Sequence, residues 1–302
     1  MTHWTVVSHP GPSERKILAS LAPGISPRRH VGSGVTLRAL EGGNGGNGPT
    51  IVFLHGRGHA ATSWAPILAR LSLGHRVLAF DLPGFGHSAS RPWEGGDGRD
   101  GLAFFADPIG RALAELERPI LVGHSLGGAV ALAATLAGHV APRALVLIGA
   151  MGLSPRVKPG ARLYYATDPE RVARLRKPLR SALDAALGRR SSDAEALRRE
   201  LLTVRGGRPD AAAAFRAMCP IIGEPFHFEP EELAAITHPT MLLWGDRDEA
   251  FPLDVAIEAE RVLPAGELRV MAAGHSPHVD KPDDVARIIE DFVTRLDCTE
   301  RS

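Results

Sequence analysis

The amino-acid sequence predicts an α/β fold with a mostly parallel sheet, and three observations carry that expectation. Short apolar runs recur along the chain, amphipathic stretches with helical spacing separate them, and one long segment is helical in pattern throughout. A strand covered by helices on both faces reads as a continuous apolar run, and regular alternation of such runs with helices implies βαβ units.

The apolar runs are TIVFLHG at 50–56, HRVLAFD at 75–81, RPILVGH at 118–124, RALVLIG at 143–149, PTMLLWG at 239–245 and ELRVMAA at 267–273. Each is expected to be a strand buried on both faces. Amphipathic helical patterns lie near 62–71, 101–117, 126–138, 254–262 and 282–296. Residues 152–235 break this rhythm, with patterns such as RVARLRKPLRSALDAAL and SSDAEALRRELL and no strand signal. They read as a helical cap inserted between two strands. Parallel sheets bind ligands at the carboxyl ends of their strands, so this insertion is expected to form a lid, the alternative being a helical surface decoration. The core domain is then 31–151 together with 236–302. Residues 1–30, rich in Pro, Ser and charge, read as a loosely attached N-terminal extension.

A chain of 302 residues with 44% apolar content can bury a sizeable core. The 35 Lys and Arg nearly cancel 34 Asp and Glu, and no basic run carries interleaved aromatics, so nucleic acid is not an expected partner. Cys219 and Cys298 have neither disulfide-framework nor zinc-site spacing and read as buried or incidental thiols. No segment has the apolar length of a signal peptide or a membrane span. The expectation is a soluble cytoplasmic protein with a small-molecule substrate and no membrane partner; a homodimer is admissible.

The chemistry is concentrated in a few short stretches. GHSLG at 123–127 has G-x-S-x-G spacing directly after an apolar strand and before the helical pattern AVALAATLAG. A sharp strand-to-helix turn there would hold Ser125 in a strained conformation and present its Oγ above the sheet, with the helix N-terminus favouring developing negative charge. The bland alternative for Ser125 is an N-cap serine. A serine hydroxyl needs a base, and His275 in MAAGHSPH follows the last predicted strand, with His278 as its rival. The imidazole in turn needs a carboxylate. Asp248 in WGDRDEAFP is placed for this, while Asp246 and Glu249 in the same turn read as loop or capping groups. Two main-chain amides must face the oxyanion, and those of Leu126 and Arg57, the latter in HGRG at 55–58, are the candidates. The Arg57 side chain could also face the substrate, and His55 reads as a structural hydrogen-bonding residue rather than a base.

Four stretches in order, LHGRG, DLPGFGHS at 81–88, GHSLGG, and WGDRD with GHSPHVDKP, resemble the α/β-hydrolase superfamily over residues 32–297. The resemblance implies an eight-stranded mostly parallel sheet flanked by helices, with a helical cap after the sixth strand. It also implies Ser125, Asp248 and His275 as a catalytic triad that needs no cofactor or metal. Epoxide hydrolases and haloalkane dehalogenases carry aspartate where this chain has Ser125, and the GGPG signature of proline iminopeptidases is absent. The expected reaction is hydrolysis of a carboxylic ester, thioester or lactone through an acyl-enzyme on Ser125. C–C bond hydrolases, cofactor-free haloperoxidase-like enzymes, lyases and acyltransferases use the same triad and stay open, since fold does not decide chemistry.

Leu153, Tyr164, Tyr165, Phe215, Met218 and Phe226 are the candidate apolar lining of a substrate pocket beneath the cap. Residues 152–235 hold 15 Lys and Arg against 11 Asp and Glu, an excess that either meets an acidic substrate end or covers solvated helix faces.

Overall fold

The computed structural model describes residues 3–6, 10–31, 34–43, 48–161, 211–223 and 225–300. One sheet of nine strands runs through it, in the order β1-β2-β3-β5-β4-β6-β7-β8-β9. Strands β4 (Ile51–Leu54), β5 (Val77–Phe80), β6 (Ile120–His124), β7 (Ala144–Ile148), β8 (Thr240–Gly245) and β9 (Gly266–Met271) are mutually parallel. The antiparallel strands β1 (His3–Val6), β2 (Ser26–Val31) and β3 (Leu37–Gly42) extend one edge. The sheet has one strand more than the eight expected, and both β1 and β2 come from the N-terminal segment read as an extension, β2 running into the core at Val31.

The apolar runs work as a period-2 pattern with both faces covered. In β4, Val52 and Leu54 join one core while Ile51 and Phe53 join the other. Leu145 and Leu147 alternate in the same way with Val146 and Ile148 in β7, as do Leu242 and Trp244 with Met241 and Leu243 in β8. The first core is closed by helices α3 (Gly98–Leu113), α4 (Leu126–Leu136) and α7 (Leu253–Val262). The second is closed by α1 (Pro12–Leu21), α2 (Ala65–Leu71) and α9 (Pro282–Glu300).

Strand β9 departs from the expectation of burial on both faces. Arg269 and Val270 are exposed and only Met271 is buried, because β9 is the last strand of the sheet and pairs on one side alone. The N-terminal segment also differs from a loose attachment: Leu18, Ala22 and Ile25 are buried in the second core beside Trp64 and Leu68.

Between β7 and β8, the described parts of the insertion are its two arms. The outgoing arm is tied to the loop after β8 by Lys158, whose amide donates to Ala250 O at 2.9 Å and whose Nζ donates to Asp248 O at 2.6 Å. The returning arm contains α5 (Ala211–Gly223), which packs so closely on α3 that a Cβ at Gly101 would lie 2.3 Å from Ala217 O. Phe228 N joins the two arms by donating to Gly152 O at 2.8 Å. Helices α6 (Pro230–Ala234) and α8 (Pro277–Asp280) complete the described helices. None of them is long and apolar enough to cross a membrane. Cys219 and Cys298 are both exposed rather than buried.

Candidate active site

Two close glycine contacts, at Gly123 and Gly127, flank the turn that carries Ser125. β6 ends at His124 and α4 begins at Leu126, so the reversal takes place at Ser125 itself, with φ 51° and ψ −116°. A non-glycine residue in this region stores about 1–3 kcal/mol of strain that the surroundings must offset. Main-chain bonds do so: Ser125 N donates to Ile148 O at 3.0 Å, and Ser125 O accepts from Gly128 N and Met151 N, each at 3.0 Å. Close approach explains the flanking glycines. A Cβ at Gly123 would lie 2.5 Å from Gly127 O, and one at Gly127 would lie 2.1 Å from Leu54 O.

The loop after β4 lies directly over this turn, since a Cβ at Gly56 would stand 3.1 Å from Ser125 Cβ. Leu126 is the first helical residue and its amide has no acceptor within the helix. Arg57 follows Gly56 in a tight turn closed by His59 N donating to Gly56 O at 3.2 Å, with Gly58 at φ 75°. The Arg57 side chain is buried. His55 is fully buried, with Nδ1 2.8 Å from Gly56 O and Nε2 accepting from Leu82 N at 3.0 Å. Both ring nitrogens are thus engaged by the main chain, which fits its structural reading.

His275 Nδ1 lies 2.9 Å from Asp248 Oδ2. The other carboxylate oxygen, Oδ1, accepts from Ala250 N at 2.7 Å and Phe251 N at 2.9 Å, so the main chain of the β8 loop fixes the Asp248 rotamer. Asp248 is buried and His275 is half-buried. Asp246 and Glu249 serve the loop instead: Asp246 Oδ1 accepts from Ala273 N at 3.1 Å and Glu249 Oε2 from His275 N at 3.0 Å.

His278 is 0% exposed, neither ring nitrogen has a hydrogen-bond partner among the described residues, and its ring packs on Trp64 with centroids 4.3 Å apart. Burial, then the neighbouring His275 and His55, hold its pKa down to about 3. It is therefore a neutral core residue, and the pairing with Asp248 falls to His275. His124 is equally buried, and its Nε2 lies 3.0 Å from His275 O. Burial first, followed by the three imidazoles of His278, His275 and His59, lowers its pKa well below the ordinary histidine value. This contact left no signal in the sequence, because its two ends are far apart along the chain.

A small apolar cavity opens where the two arms of the insertion meet the β8 loop. Met151 and Val157 line it from the outgoing arm, Ile221, Ile222 and Phe226 from the returning arm, and Phe251 from the loop. The Phe251 ring stands edge-on to His275 with centroids 5.4 Å apart, which joins the cavity to the Asp248–His275 pair. Of the residues expected beneath the cap, Phe226 is among those lining this cavity. Leu153 and Met218 are buried within the first core, and Phe215 is half-buried on α5; none of the three lines this cavity. Tyr164 and Tyr165 lie outside the described residues. Among the described residues, Ser154 is the polar one lining the cavity.

The chain matches the alpha/beta hydrolase family over residues 51–288. It belongs to that family. The 2-hydroxy-6-oxo-2,4-heptadienoate hydrolase of Pseudomonas putida is 30% identical over 260 residues, covering 83% of this chain and 91% of the relative. The 2-hydroxymuconate semialdehyde hydrolase of Pseudomonas sp. strain CF600 is 27% identical over 290 residues, covering 91% and 98%. Among solved structures, a membrane phospholipase A described as a bacterial virulence factor superposes with a TM-score of 0.70 at 28% identity, covering 94% of this chain and 88% of its own. The protein is an α/β-hydrolase with hydrolase relatives.

Proposed function

We propose that this α/β-hydrolase cleaves a carboxylic ester, thioester or lactone of a small molecule through an acyl-enzyme on Ser125, with His275 and Asp248 as base and acid. The observation that carries this reading is the 2.9 Å His275–Asp248 pair on the same sheet edge as a serine strained into positive φ. With Nδ1–H donated to Asp248, the His275 Nε2 lone pair is the one available to take the Ser125 proton. Ser125 Oγ then adds to the carbonyl carbon, and the Leu126 and Arg57 amides receive the oxyanion. Collapse expels the alcohol or thiol, which takes the proton from His275. Water, deprotonated by the same imidazole, then releases the carboxylic acid and restores Ser125. No step draws on a cofactor.

The apolar walls of the cavity beside Phe251 support a neutral acyl or alkyl group as the part of the substrate held there. The insertion 152–235 acts as the lid in this reading, and the partner is a small-molecule substrate, with a homodimer admissible. Hydrolysis of short p-nitrophenyl esters by the wild type and its loss in Ser125→Ala tests the assignment. Absence of turnover on esters, thioesters and lactones alike would sink it.

A second reading is favoured by the two Pseudomonas relatives, whose names describe hydrolases of oxo-dienoate and semialdehyde compounds. In it, the same residues add water across a carbon–carbon bond beside a ketone. Turnover of a β-diketone or of a 2-hydroxy-6-oxo-dienoate, with esters left intact, would select that reading.

A further inference from the structure

The N-terminal helix reaches the catalytic apparatus through a buried ionic cluster. Glu14 lies on α1, outside the segment that matches the family, and is 0% exposed. Its carboxylate pairs with the Arg38 guanidinium of β3, accepts from Thr62 Oγ1 at 2.5 Å, and stands 2.9 Å from His87 Nε2. Arg38, itself 2% exposed, bridges to Asp81 at 3.1 Å. Asp81 accepts from Ala61 N at 2.7 Å and His87 N at 2.9 Å. Burial alone would raise the Glu14 pKa, yet His87, Arg38 and Thr62 together bring it to about 2, so this carboxylate is ionised at neutral pH.

The acceptors of this cluster converge on one segment. The loop His55–Gly58 has its entry fixed by His55 receiving Leu82 N, one residue beyond Asp81. Its exit runs straight into Ala61 and Thr62, held by Asp81 and Glu14. The middle of that loop, at Gly56, lies against Ser125. We propose that Glu14 is a positioning residue for the oxyanion loop, holding Thr62 and Arg38 so that the Arg57 amide is fixed opposite the Leu126 amide. The inference rests on the reading of Ser125 as a nucleophile with those amides as its oxyanion donors. The carboxylate acts through Thr62 and Arg38 and touches no reacting atom.

The measurement is the second-order rate of Ser125 labelling by a fluorophosphonate, together with kcat and KM on p-nitrophenyl butyrate per labelled site, in the full-length protein. For Glu14→Ala, labelling rate and kcat are expected to fall about 10- to 100-fold with KM nearly unchanged. Thr62→Val removes one donor while leaving the Glu14–Arg38 pair in place, and covers the case in which Glu14→Ala does not fold; a several-fold loss in the same direction is expected. Glu14→Gln keeps an acceptor oxygen and should recover most of the rate. Rates per labelled site that stay at the wild-type level in Thr62→Val and in folded Glu14→Ala, with only Tm lowered, would overturn the proposal. Wild type that labels but cleaves no ester counts against the ester reading and leaves the labelling test of Glu14 intact, whereas wild type that does neither sinks both.

Discussion

His124 and His275 are joined by a hydrogen bond of 3.0 Å from the His124 ring to the His275 main chain, linking the strand before Ser125 to the loop after β9. A carbonyl only accepts, so His124 carries its proton on Nε2. In His124→Ala the base loop loses its tie to the elbow, and a displacement of about 1 Å at a reacting group costs on the order of 100-fold. The expected result is a kcat/KM lower by about 10- to 100-fold with the triad residues intact, and partial recovery in His124→Gln, whose amide can donate. Equal activity in the alanine variant would show that the bond is dispensable.

Asp248 and Asp246 of the β8 loop should separate by function. Asp248→Asn cannot both orient and stabilise the imidazolium, and is expected to reduce kcat by about 10⁴-fold. Asp246→Asn keeps an acceptor for Ala273 N and should remain within about threefold of wild type. Steady-state kinetics on one ester substrate decides between them, and comparable losses at both positions would remove Asp248 from the triad.

Gly56 has no room for a side chain. A Cβ there would lie 2.6 Å from His124 Nδ1 as well as 3.1 Å from Ser125 Cβ, so Gly56→Val must push the loop away from Ser125. Displacing the Arg57 amide by this route should cost about 100- to 1000-fold in kcat, the loss typical of one oxyanion donor. A transition-state analogue such as a boronic acid should weaken in parallel, and unchanged inhibition would argue that Arg57 lies outside the oxyanion site.

Stability should fall in acid through His278. Its folded pKa of about 3 lies below the ordinary 6.5, so between those values the unfolded chain binds a proton that the folded protein does not. Its contribution is therefore fully present above pH 6.5 and is lost as pH falls toward 3. Urea midpoints measured across that window should drop steeply for wild type and less so for His278→Phe, which keeps an aromatic ring against Trp64. Parallel slopes for the two proteins would place the acid sensitivity elsewhere.

The elements most readable in the sequence are those whose logic is local. TIVFL and ALVLI become buried strands because nearly every residue is apolar, and G-x-S-x-G identifies Ser125 because strand, turn and helix are adjacent. Asp248 and His275 could be placed since each follows such a strand. The pairing that distinguishes His275 from His278 depends on which ring meets a carboxylate, and only the folded chain shows it. Glu14 was less legible still. One charged residue in a Pro- and Ser-rich segment carries no mark of burial, and its partners Arg38, Thr62 and His87 come from three separate parts of the chain. The exposure of β9 follows from its place at the sheet edge, which strand composition does not encode.

The sheet order also bears on where this protein can be divided. The family match starts at Ile51, although similarity to individual relatives extends further upstream, and Ile51 would be a tempting place to trim the chain for expression. A fragment starting there would forfeit β1, β2 and β3 and expose the flank of β5. It would also strand the Asp81 carboxylate in the interior after removing Arg38, a kind of loss that costs about 3–5 kcal/mol. The start of the family match and the start of the buried ionic network are different places in this chain, and they lie 37 residues apart, from Glu14 to Ile51.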